Sequence, residues 1–178
     1  MRGFSLIDVL VVIVVLGVVA VTITKTAGNL AEESARNLKT RQMMVFAQGL
    51  LEEVRYMPFT TFDPAAGGAS FSATVDALGF EAGETRYNAA NRFDGVSDYQ
   101  NFTMPVAGAC TGLCDIYGTV LNGSGALSGC NARVVLAAVA VNGVPATDAW
   151  RILVTLRCPG VDNVTAEGIR IRHAPNAL

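Results

Sequence analysis

Residues 9–21 are apolar or glycine without exception, and the wider run 4–24 contains a single charge, Asp8. At about 1.5 Å per residue a helix over 4–24 measures roughly 31 Å, the thickness of a bilayer's hydrocarbon core. After Lys25 the chain turns polar, yet the helical period persists. Met43, Ala47, Leu50, Val54 and Met57 are spaced four and three apart, one apolar stripe that Phe46 and Leu51 widen. No proline occurs before Pro58, and the residue ahead of a proline is a natural helix boundary. The pattern predicts a helix over 4–57, about 80 Å if unbroken. Gly17 and Gly28-Asn29 are the two places that invite a break, with Asn29-x-x-Glu32 able to cap a restarted helix.

Beyond Pro58 the period changes. Residues 59–108 are rich in Gly, Ala, Asn and Asp and read mainly as loops, as does the small-residue stretch 122–129. Strands begin after Gly129. Even positions of 150–158 are all apolar, and Arg151, Thr155 and Arg157 alternate with them, so this is a half-buried strand. Residues 132–141 are nearly all apolar and predict a central strand covered on both faces. Residues 169–172 alternate again as a late one-sided strand, with Arg170 and Arg172 assigned to solvent. A loop over 142–148 would join the first two strands, setting Val141 opposite Ala149, Ala132 opposite Cys158, and Cys130 on the diagonal. The predicted fold class is α+β: a long N-terminal helical stalk against an antiparallel sheet in a C-terminal head at 58–178.

Composition sharpens this outline. The 178 residues are 51% hydrophobic and 16% charged, with a net charge of −2, so nucleic acid is not an expected partner. Four cysteines, Cys110, Cys114, Cys130 and Cys158, follow the apolar run; an even count in an exported head suggests disulfides. Of the three connectivities, the hairpin register favours Cys130–Cys158, leaving Cys110–Cys114 as a local loop. A four-cysteine zinc site is the rival, but C-x-x-C pairs are missing.

The first residues admit three interpretations. A cleaved secretory signal would have a more basic start and a small-residue cleavage site, for which Val18-Val19-Ala20 is a weak candidate. A plain signal anchor explains the length and not the acid. Third, Gly3-Phe4-Ser5-Leu6-Ile7-Asp8 ahead of an uninterrupted apolar run resembles the N-terminus of type IV prepilins and pseudopilins. The resemblance implies a leader, 1–3, cut after Gly3 by a prepilin peptidase, N-methylation of Phe4, and Asp8 in the place of the family's acid. The family normally has Glu there, so the carboxylate of Asp8 reaches one methylene less far. The resemblance further implies a stalk whose first half, 4–24, lies in the inner membrane and then in a filament core, paired through Asp8 with the Phe4 amine of a neighbouring subunit. The amphipathic half, 25–57, would pack on the head. A local role for Asp8 is the simpler alternative: Ser5-x-x-Asp8 fits a capping box, and an acid in the first turn suits the helix dipole.

Two further stretches, residues 50–60 and 93–99, are similar to segments of minor pilins of the mannose-sensitive haemagglutinin type. Equally, they describe a helix ending at a proline and an acidic loop with an aromatic anchor. No G-x-S-x-G, P-loop or histidine cluster occurs, and the single histidine, His173, reads as a strand-end residue. Asp94 and Asp98 lack calcium-loop spacing and read as a solvated turn. The absent motifs argue against an enzyme, a cofactor or a metal. The resemblance implies a minor, pilin-like structural subunit of a type IV pilus or related filament, held in the inner membrane before assembly and in an extracellular pilus or periplasmic pseudopilus after it. A pseudopilin of a secretion or DNA-uptake apparatus and a membrane-anchored adhesin are the alternatives.

Overall fold

The computed structural model describes residues 6–59, 78–121 and 125–172, with the backbone alone at Asp8. Gly3, Phe4 and His173 lie outside the described residues. The chain divides into two compact units, Met1–Leu38 and Lys39–Leu178, and helix α1, Leu6–Tyr56, contributes to each. Neither Gly17 nor Gly28-Asn29 interrupts it. It ends one residue ahead of Met57-Pro58, whose carbonyl side carries no helix onward.

In the second unit, α1 buries the predicted stripe. Met43, Ala47 and Val54 are fully buried, with Leu50 and Leu51 nearly so. They share one core with Ala132, Val134, Leu136, Ile152, Val154 and Leu156 from the sheet. Each such aliphatic side chain contributes about 1.5–3 kcal/mol when taken from water. The sheet has four antiparallel strands in chain order: β1 (Thr103–Met104), β2 (Asn131–Ala138), β3 (Ala149–Arg157) and β4 (Val164–Ile171). The fold is α+β, as the periodicities predict.

Three details differ from the sequence expectations. First, β2 is central in the sheet but buried on one face only: Ala132, Val134 and Leu136 point inward while Arg133 is exposed. Its apolar outward residues, Val135 and Ala137, are small enough to sit half-exposed. Secondly, the pairing is shifted by two residues, Ala138 opposite Trp150 and Ala132 opposite Leu156. The chain reverses at Asn142-Gly143, both with positive φ (46° and 86°), and Val141 and Val144 exchange backbone hydrogen bonds of 3.1 and 2.8 Å across them. That is the Asn-Gly turn whose twist suits a hairpin. A 3-10 helix, Ala146–Asp148, then takes up chain on one arm only, so register counted from the tip does not carry into the ladder. Thirdly, β4 presents its faces the other way round. Ile169 and Ile171 are 40% and 38% exposed, and Arg170 is turned to the helix side opposite buried Trp150. Gly168 sets this parity, because a Cβ there would lie 3.1 Å from Leu51 Cδ1 and Arg55 Cδ, so α1 comes down on the even positions. Arg172 reaches Asp148 at 3.6 Å instead of solvent alone.

The first edge of the sheet is completed by a side chain. Val134 N–H donates to Phe102 O at 2.9 Å, and on the next rung Leu136 N–H donates to Gln100 Oε1 at 2.6 Å, an amide standing in for a strand.

Candidate functional site

In the first unit the apolar side chains of α1 face outward all round. Large apolar residues from Leu6 to Ile23 are between 46% and 82% exposed. An 18-residue stretch of α1 within Val9–Tyr56 has a mean hydropathy of 2.5 with none of it buried, and α1 is long and apolar enough to cross a membrane near the N-terminus. A helix apolar on every side belongs in lipid or among other helices. Its polar atoms are arranged to match. Thr22, Thr24 and Thr26 donate their hydroxyls back to the carbonyls of Val19, Ala20 and Thr22 at 2.7–2.9 Å, so three hydroxyls near the end of the run need no water. Charge returns at Lys25, and further along exposed Glu32 and Arg36 form an i,i+4 pair at 2.7 Å. Asp8 lies in the first described turn of α1.

The head holds the four cysteines as two disulfides. Cys110 pairs with Cys114, and Cys130 with Cys158, with Cα separations of 6.0 and 4.2 Å. The second follows from ladder parity. Val139 N–H donates to Ala149 O, so odd residues of β2 form the hydrogen-bonded pairs and Cys130 falls directly opposite Cys158 on a non-hydrogen-bonded rung. There the Cα atoms approach to about 4.5 Å, within bridging distance.

The strongest electrostatic feature of the head was not legible in sequence. Glu53 on α1 receives both arms of Arg86, each at 2.6 Å, and the Tyr99 hydroxyl at 2.6 Å. Arg86 also donates to Cys114 O at 2.9 Å and Asp115 O at 3.0 Å. One guanidinium thus ties the helix to the Cys110–Cys114 loop. Burial works to lower the Arg86 pKa, but the hydrogen bonds and charge of Glu53 outweigh it and the net shift is upward. Burial and the same carboxylate raise Tyr99. Phe93, Tyr99 and Phe102 pack edge to face around this cluster at 5.0–5.8 Å, the aromatic anchor expected of residues 93–99.

Asp98 is not in a solvated turn. It is fully buried, and its Oδ2 accepts from Asp94 N–H and Gly95 N–H at 3.0 and 2.8 Å. Carboxylate oxygens of Glu81, Glu84 and Asp98 lie within 4.8 Å of one another. Burial raises Asp98 to about 6, and burial together with the Glu81 side chain raises Glu84 to about 7. The Asp98 oxygen is already spent on backbone donors, and three carboxylates fall short of the six to eight oxygens calcium takes. The sequence signal for Glu53 was available in principle, as an acid beside the buried stripe at Val54; nothing in the spacing pointed to Arg86, Glu81 or Glu84.

No family model, no curated protein and no solved structure matches this chain.

Proposed function

We propose that this chain is a pilin-like structural subunit of a type IV pilus or related filament, assembled through its N-terminal helix and not an enzyme. The observation that carries the proposal is the apolar segment 6–23, exposed on every side of its helix, while the described residues from Met43 onward bury a core of their own. Such a segment rests in the inner membrane before assembly and exchanges lipid for the same segment of its neighbours afterwards. Little apolar area is gained or lost in that exchange, so direction and register must come from polar groups. Asp8 supplies one. Cleavage after Gly3 frees the Phe4 amine, and the carboxylate of one subunit pairs with the amine of the next; in a dry core an unmatched charge is strongly disfavoured. The disulfide-closed head is suited to an oxidising compartment, with the prepilin peptidase and other pilin subunits as partners.

The test is a full-length tagged chain in a pilus-bearing bacterium, with sheared surface filaments and membranes assayed separately. Wild-type protein is expected in both fractions, Asp8→Ala in membranes with a severalfold loss from filaments, and Asp8→Glu in both. Normal incorporation of Asp8→Ala contradicts the pairing. Absence of the wild type from any filament, with the protein retained in the membrane, favours an anchored binding module instead.

A further inference from the structure

Strand β4 forms one margin of the sheet among the described residues, and ladder parity shows what it leaves open. Arg172 N–H donates to Asp148 O at 2.8 Å, in line with the β3 pairing, so even-numbered residues of β4 turn their backbone groups toward β3. The N–H and C=O groups of Thr165, Glu167, Ile169 and Ile171 therefore point to the open edge. Beside the last of these lies a groove of about 400 Å³, walled by Glu52, Arg55 and Tyr56 of the last helical turns and by Ile169, Arg170 and Ile171. Tyr56 is 83% exposed. Glu52 and Arg55 neutralise each other at 2.8 Å, so Arg170 is the groove's unbalanced charge. Its Nε is buried with no hydrogen-bond partner among the described residues, and so is Trp150 Nε1, opposite it in the sheet. Buried donors without acceptors are uncommon and costly.

We propose that this margin is a docking site for an extended segment of another polypeptide, which adds a strand to β4 and places a carboxylate against Arg170. The geometry specifies the segment. Directly paired residues share a face, so the residue opposite Arg170 faces the helix side and is acidic, while its two neighbours face outward beside Ile169 and Ile171 and are apolar. The preferred occupant is an acid between two aliphatic residues, in strand conformation. Backbone pairing supplies the binding and the guanidinium fork supplies the selection. This holds whether or not the chain enters a filament.

The experiment titrates the full chain in detergent micelles with the end-blocked peptide Thr-Thr-Val-Glu-Val-Thr-Thr, following backbone amide shifts and exchange. Shifts and slowed exchange at Ile169 and Ile171 are expected. The Gln-for-Glu peptide should bind about tenfold more weakly, the size of a lost charge-assisted contact. Arg170→Gln should abolish the difference between the two peptides. Arg170→Lys, which keeps the charge and loses the fork, should retain part of it and serves if the first variant folds poorly. No response at either isoleucine amide at millimolar peptide, or equal binding of the Glu and Gln peptides by the wild type, overturns the proposal. Acetate alone producing the same shifts would reduce the site to one for a free carboxylate and also overturns it.

Discussion

At the scale of single residues, neighbouring acids on α1 have very different weights. Glu52 pairs with Arg55 at a surface where both side chains are about half exposed, whereas Glu53 meets an Arg86 side chain that is 4% exposed. Removing an exposed partner changes little, while removing one from a buried pair strands the other charge. Glu53→Gln is therefore expected to lower stability by about 3 kcal/mol or more and Glu52→Gln by under about 1 kcal/mol, as measured by denaturant unfolding of the head signal. Similar losses for the two would contradict the clamp. The raised acids give a pH dependence of unusual sign. Glu84 and Asp98 move from 4.5 and 3.8 to about 7 and about 6, so over that interval the folded chain holds more protons than the unfolded one. Their contribution is present at low pH and lost as pH rises from about 4 to about 7. Thermal unfolding should show the head losing stability across that window, with a shallower loss in Glu84→Gln. A stability that climbs equally in both proteins would count against the carboxylate cluster.

Among the elements, the close approach of α1 to β4 at Gly168 makes that glycine a packing requirement. Gly168→Val should cost about 1–3 kcal/mol, because Leu51 and Arg55 must give way, and Ile169→Val on the outer face should be nearly neutral. The Cys130–Cys158 bridge closes 28 residues and Cys110–Cys114 only 4, so loop-closure entropy predicts about 3.5 kcal/mol for the first and about half that for the second. Paired Cys→Ala variants compared by denaturant midpoint check the order. The elements themselves were legible wherever periodicity was strong: the α1 stripe from Met43 to Val54 and the alternation of β3 at residues 150–157 are both as buried as the pattern required. What periodicity does not encode went astray. Residues 132–141 are apolar for want of bulk, which looked like burial on both faces. The arms of the hairpin differ by a 3-10 turn, which no alternation reveals. Ile169 and Arg170 alternate perfectly, but only the helix landing on Gly168 decides which faces inward.

For the whole molecule, the apolar run and the paired cysteines were open to direct reading, since both depend on composition along the chain and need no knowledge of folding. The buried cluster was closed to it, because Glu53, Arg86 and Tyr99 meet across 33 and 46 residues with no motif to mark them. The N-terminal unit of α1 exposes its apolar residues, while the second unit, closed by two disulfides, has a core of its own. The claim at the centre is that the chain is cut after Gly3 and enters a filament by the helix so exposed. Intact-mass measurement of the protein purified from its native membranes and filaments addresses this most directly. A mature chain lacking Met1, Arg2 and Gly3 and carrying one added methyl group is the predicted result; a chain that retains its initiator methionine, or begins beyond residue 20, contradicts it.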